Sequence, residues 1–272
     1  MTVQASLFDP GALDAASGAS EPSLFDDPAD DLARSSAEEQ PGLAVGPLTG
    51  TVRHQLARGA WVDLLPGWVS GGDLLQRLLE DVPWHAERRP IYDRVVDVPR
   101  LLCHYDEGDA LPHPLLEAVR DALNARYEPE LGEPLVSAGL CLYRDGADSV
   151  AWHGDTIGRG RTTDTMVAIL SLGSPREFLL RPRGGGAVAR AIAGADLAGG
   201  RTPVGRAATE APAAATAPRQ VSGAGTIRHT LHHGDLVVMG GSCQRTWEHA
   251  VPKTTHPVGP RVSIQLRPRG VR

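Results

Sequence analysis

His153 and Asp155 stand two apart in Trp152-His153-Gly154-Asp155, and His249 follows far downstream in Trp247-Glu248-His249. Two histidines and one carboxylate can take one face of a ferrous ion and leave its other positions open for a co-substrate and oxygen. Arg261 and Arg267 come next, in Arg261-Val262-Ser263-Ile264-Gln265-Leu266-Arg267. A guanidinium is the side chain best shaped to hold a carboxylate by two parallel hydrogen bonds. The five residues together point to oxygen chemistry at non-heme Fe(II), with 2-oxoglutarate as the dicarboxylate co-substrate.

A rival pair exists in His233-Gly234-Asp235, beside His229 and His232. Gly234-Asp235 falls between two apolar runs and is expected to form a hairpin turn. It also leaves little chain before His249 in which to build opposing strands. His153 and Asp155 leave ample room and are the expected ligands.

These residues need a β scaffold. From Leu135 onward, short apolar runs alternate with Gly and Pro. Strands are expected at 136–143, 165–172, 177–181, 226–231, 235–239, 245–249 and 261–267. Before them, Trp61 to Leu65 reads as a strand. Leu74, Leu75, Leu78 and Leu79 carry helical spacing within 69–80, as do Leu115, Val119 and Leu123 within 115–127. The expected class is α+β, mainly β: a double-stranded β-helix, or jelly roll, behind N-terminal helices.

The chain has 272 residues, 41% of them hydrophobic, enough for one core. Its net charge of −6 is uneven: residues 1–50 hold −8, leaving +2 for the rest. The first 55 residues read as a disordered acidic tail, and 56–272 as one catalytic domain. Residues 184–225, mostly Gly, Ala, Thr and Pro, read as a flexible insertion. Three widely spaced cysteines fit a reducing cytoplasm better than a disulfide framework. The first residues lack the charged and apolar regions of a signal peptide. No apolar run approaches the roughly 18 residues of a membrane helix. The expectation is a cytoplasmic monomer with no membrane association.

The chain resembles the AlkB family of 2-oxoglutarate-dependent oxygenases, of the bacterial alkylated-DNA repair type. The resemblance runs from about Trp61 to Arg267. Tyr143-Arg144-Asp145-Gly146, Leu170-Ser171-Leu172-Gly173, Arg176, Phe178, Met239-Gly240-Gly241, Gln244 and His249-Ala250-Val251-Pro252 carry it, with the two arginines. It implies that His153, Asp155 and His249 ligate Fe(II). Arg261 would pair with the distal carboxylate of 2-oxoglutarate, Arg267 would sit near its other end, and Tyr143 would hydrogen-bond it. Two departures stand out. Cys141 replaces an asparagine common in such families. Thr156 and Ile157 follow Asp155 where relatives carry an acidic residue, and Ile157 cannot accept a hydrogen bond from a base amine.

The implied activity is oxidative demethylation of N-alkylated DNA bases, 1-methyladenine and 3-methylcytosine, using Fe(II), O2 and 2-oxoglutarate. Formaldehyde, succinate and carbon dioxide would be released. The base must be flipped or already single-stranded to reach iron. The resemblance places a nucleotide-recognition lid in the N-terminal region. Trp84, Tyr92, Tyr105 and His113 are candidates there to grip the base, and Arg100 of Pro99-Arg100 to contact substrate. Arg159 and Arg161 are candidate phosphate contacts. The same chemistry on RNA, protein or a small molecule is the alternative. A silent binding module is a lesser one. In the tail, Gln4-Ala5-Ser6-Leu7-Phe8 looks like a peptide that docks bacterial repair proteins on the sliding clamp, and Glu21 to Phe25 is a weaker copy.

Overall fold

The computed structural model describes residues 44–70, 72–91, 94–155, 160, 162–184, 219–220 and 225–271. Tyr92, Thr156, Ile157, Arg159, Arg161, the tail segment Gln4 to Phe8 and most of 184–225 lie outside the described residues.

In chain order, β1 (Ala44–Val45), β2 (Val52–Gln55), β3 (Ala60–Leu65) and β4 (Val69–Ser70) lead into helix α1 (Leu74–Asp81). Next come β5 (His85–Ile91), β6 (Arg94–Tyr105) and helix α2 (Pro114–Leu131). Then follow β7 (Leu135–Tyr143), β8 (Val150–His153), β9 (Val167–Gly173), β10 (Arg176–Pro182) and β11 (Arg219–Gln220). β12 (Ile227–Leu231), β13 (Leu236–Gly241), a helical turn α3 (Cys243–Thr246), β14 (Trp247–Val251) and β15 (Arg261–Pro268) complete it.

Two sheets carry the site. The larger has nine strands in the order β11-β2-β3-β13-β9-β15-β7-β6-β5, and the smaller four, β12-β10-β14-β8. The larger sheet is covered on both faces, which is why its central strands read as continuous apolar runs. Leu140, Leu142, Ala168, Leu170, Leu172, Val262, Ile264 and Leu266 face the helices. Their neighbours Cys141, Tyr143, Val167 and Ile169 face the smaller sheet, against Phe178, Leu180 and Trp247. The strand period of two assigns each residue to one layer. The fold is α+β and mainly β with a two-sheet core, as expected.

The helices close the other side. Leu74 and Leu78 of α1 are fully buried, and each such leucine contributes about 1.5–3 kcal/mol. α2 buries Leu115, Leu116, Val119, Leu123 and Tyr127. Its ends follow its sequence: Pro114 sits in the first turn, and Gly132 at the C-cap has φ 84°.

Two expectations need correction. The ordered chain begins before residue 56, because β2 pairs with β3. Arg53 anchors it, with Nε 2.7 Å from Asp63 and Nη1 2.9 Å from Glu130. His233-Gly234-Asp235 is not a hairpin turn, since β12 and β13 belong to different sheets. It is a crossing between sheets: Asp235 accepts from Gly67 N and His232 N, and Gly234 has φ 82°. The β5–β6 hairpin, not expected from the sequence, extends the larger sheet beyond β7. Pro99 in the run argues against a strand; it sits where the β5–β6 register shifts, between Ala86 and Arg88.

Candidate functional site

The two histidines meet as direct partners on paired strands. β14 runs antiparallel to β8 with His249 opposite His153, and the ring centroids lie 4.2 Å apart. Asp155 follows β8 after one glycine. Ligand atoms of His153, Asp155 and His249 lie within 4.8 Å of one another. Gly154 makes the corner possible: a Cβ there would lie 2.5 Å from Gln244 O and 3.3 Å from Trp247 O, both backbone atoms. Gln244 also fixes the aspartate, its Oε1 accepting from Asp155 N at 3.0 Å.

The donor set fits a divalent iron. His153 Nδ1 is 2.8 Å from Ala151 O, which leaves Nε2 as the ligand atom. His249 is neutral at ordinary pH. Burial and His153 push it down to about 3, with Arg267 adding and Asp155 opposing. Burial pushes the Asp155 carboxyl up, but Arg267, His249 and His153 outweigh it and hold the group below its ordinary value. One Asp155 oxygen, Oδ1, takes a hydrogen bond from Arg267 Nη2 at 3.1 Å. The other, Oδ2, is buried without a partner, 3.8 Å from His249 Nε2. A buried carboxylate oxygen facing an imidazole nitrogen is suited to share a metal.

Arg261 is 1% exposed. Its Nε donates to Ser171 Oγ at 3.0 Å, and its Nη1 has no partner. A buried guanidinium with an unused donor is costly unless an anion meets it, which fits the expected carboxylate. Burial lowers its pKa, partly offset by Tyr143. Tyr143 lies opposite Arg261 across β7 and β15, its ring 5.1 Å from the guanidinium. Burial, with Cys141 adding, pushes the phenol up to about 12 against Arg261, Arg100 and Arg176. The phenol therefore stays protonated and can donate. Tyr143, Arg261, Arg267 and the triad line one cavity of about 940 Å3.

The expected base-gripping residues divide. Arg100 lines the cavity; its Nη1 donates to Ser149 O at 3.2 Å and its Nε is buried without a partner. Trp84 does not line it: the indole donates to Leu78 O at 3.0 Å and packs on the helix-side core. Tyr105 packs in the same layer, and burial, then Cys103, raises its pKa. His113 caps α2, its Nδ1 accepting from Leu115 N at 3.1 Å. Aromatic residues in this region look alike in sequence whether they face a base or a helix. The side chains missed were Gln265, and Glu87 and Asp97 of the hairpin, which also line the cavity.

A two-sheet β core holding a two-histidine, one-carboxylate site, beside a buried arginine with an unused donor, defines an Fe(II)- and 2-oxoglutarate-dependent oxygenase. The profile of the 2OG-Fe(II) oxygenase superfamily matches residues 71–269, and the chain belongs to that superfamily. Within it, the chain is related to the AlkB-family dioxygenases. The human alpha-ketoglutarate-dependent dioxygenase alkB homolog 3 is 30% identical over 231 residues, 77% of this chain and 68% of that protein. The Arabidopsis thaliana DNA oxidative demethylase ALKBH2 is 29% identical over 150 residues, 55% of this chain and 42% of that protein. The solved structure of OsALKBH1 gives a TM-score of 0.47 at 14% identity, covering 80% of this chain and all of that one.

Proposed function

We propose that this chain oxidatively demethylates N-alkylated bases in DNA, with 1-methyladenine and 3-methylcytosine as substrates. The observation that carries the reading is the shared cavity. The triad, Arg261 and Arg267 line it together with the β5–β6 hairpin, and about 940 Å3 exceeds what 2-oxoglutarate fills. The remainder suits a flipped or single-stranded base. The relative named a DNA oxidative demethylase supports a nucleic-acid partner. Both lesions are cationic bases. Glu87 and Asp97 are among the residues that line the cavity, Asp97 paired with Arg88 at 3.1 Å; acidic residues at this rim support recognition of a cationic base.

Bound iron with 2-oxoglutarate and O2 supplies decarboxylation to succinate and an oxidant able to hydroxylate an N-methyl group, which then leaves as formaldehyde. The chain's own residues hold and orient. Arg261 takes a carboxylate, the Tyr143 phenol donates, and Arg267 keeps Asp155 ionised and aimed at the metal.

The same reading takes the two sheets as the faces of a double-stranded β-helix, in a monomer within the cytoplasm. Its free, buried cysteines support a reducing compartment. It keeps the bacterial repair role, with Gln4 to Phe8 as a clamp tether. Pull-down by purified clamp, lost in Leu7→Ala/Phe8→Ala, tests the tether.

The activity test is mass spectrometry of single-stranded DNA carrying one lesion, incubated with enzyme, Fe(II), ascorbate and 2-oxoglutarate. Loss of the methyl mass, absent in His153→Ala, is expected. Succinate formed while both lesions persist would reject the DNA assignment and move the substrate to RNA, protein or a small molecule.

A further inference from the structure

β15 turns Arg261, Ser263, Gln265 and Arg267 toward the cavity, while Val262, Ile264 and Leu266 are buried on the helix side. Of the four, Gln265 sits at the centre of the hydrogen bonding. Its Oε1 accepts from Arg267 Nη2 at 2.9 Å. Its Nε2 lies 3.2 Å from Ser263 Oγ and 3.5 Å from Cys141 Sγ. The same Arg267 Nη2 reaches Asp155 Oδ1. One carboxamide thus links the cavity wall to the metal-binding carboxylate.

We propose that Gln265 is a co-substrate contact and a positioning residue. Its oxygen holds Arg267 on Asp155, and the N–H directed at Cys141 donates to a carboxylate of 2-oxoglutarate. The proposal rests on the iron and 2-oxoglutarate site and not on the choice of base.

Two observations point this way. First, one amide donor is poorly used: Ser263 Oγ takes one N–H, and the other meets only the Cys141 thiol sulfur, a weak acceptor. A carboxylate entering the cavity is a far better partner and forms a charge-assisted bond. Second, the opposite strand is cut away to admit the side chain. Gly139 of β7 pairs with Gln265. A Cβ at Gly139 would lie 2.5 Å from Arg267 Nη1 and 3.3 Å from Gln265 Oε1. The missing side chain provides the space in which both long side chains lie.

The test is an anaerobic titration of the Fe(II)-loaded full chain with 2-oxoglutarate, followed by the charge-transfer absorption of the iron–keto-acid chelate. Gln265→Leu removes both functions and is expected to raise the Kd for 2-oxoglutarate about tenfold or more. Gln265→Glu keeps an acceptor for Arg267 but loses the donors. It is expected to weaken 2-oxoglutarate while leaving Mn(II) binding near wild type. Gln265→Ala/Cys141→Asn returns an amide to the same corner and is expected to recover most of the affinity lost in Gln265→Ala. A Kd within about twofold of wild type in both Leu and Glu variants, with folding verified by circular dichroism, overturns the proposal. So does a double variant as weak as Gln265→Ala, which would assign the loss to Arg267 alone. A wild-type chain that gives no chelate band removes the site and the proposal with it, and is recognisable because it fails before any substitution.

Discussion

Arg267 lies over Gly139 and donates to Asp155 from 3.1 Å, so a cation of β15 and a metal-ligand anion form one buried pair. Their side chains are only 10% and 6% exposed. Removing one partner of such a pair leaves an uncompensated charge, which costs far more than the pair contributes. The triad and the arginine strand are therefore not independent.

Gly154→Ala is expected to break the metal site. The added methyl would meet two backbone carbonyls, which cannot rotate away as a flexible side chain could. Overpacking of this kind costs about 1–3 kcal/mol, and relief by movement displaces Asp155. Calorimetry with Co(II) or Mn(II) should show binding weakened by roughly tenfold or more; wild-type affinity would contradict the geometry.

Arg261→Lys is expected to behave almost as Arg261→Ala. An ammonium cannot keep the Ser171 contact and present a second donor to a carboxylate in one fixed plane. The KM for 2-oxoglutarate in succinate formation should rise roughly a hundredfold in both. A lysine variant close to wild type would show that charge alone suffices.

The metal-free protein should lose stability as pH falls from about 6.5 to about 3. His249 has an ordinary value of 6.5 and is pushed down to about 3 in the fold. The unfolded chain then takes up the proton first, so acidification favours unfolding across that window. Asp155, held below its ordinary 3.8, acts in the same direction at the acid end. Urea midpoints measured across this range should slope accordingly, and His249→Gln should flatten the slope. An unchanged slope would show that His249 is not buried as a neutral ring.

Trp84→Phe is expected to lower the melting temperature and leave the KM for methylated DNA unchanged. The indole's hydrogen bond goes to Leu78 O and its ring to the helix layer, so about 1 kcal/mol of stability is at stake. A raised substrate KM with an unchanged melting point would return Trp84 to the base pocket.

The centre of the site was legible because its chemistry admits few residue types. His153, Asp155, His249 and Arg261 can be chosen by what they must do. β7, β9, β13 and β15 were legible because apolar runs with Gly at their ends have few other readings. The rim was not. β2 has a mostly polar sequence, and its place depends on Arg53 reaching Asp63 and Glu130. The β5–β6 hairpin was not read from the sequence; Pro99, a residue uncommon within strands, is accommodated there only by the register shift between Ala86 and Arg88. Trp84 and Tyr105 fill the helix layer, a distinction of direction that residue type does not carry. Gln265 was passed over for a related reason. A glutamine between apolar neighbours looks like a solvent-facing position until Gly139 is seen across from it.

The pairing of His249 with His153 has a consequence for how the protein is assembled. The ligands come from β8 and β14, neighbours in the smaller sheet that are distant in the chain. Bringing them together requires closing a long loop, an entropic cost met only when the rest of that sheet has formed. A divalent ion gripping both strands then acts as a clasp on their union. It selects the paired form over the open one and stabilises it in proportion to its free concentration. Chelation should therefore loosen the β8–β14 rung before any other part of the sheet, and amide exchange at these two strands would follow the metal.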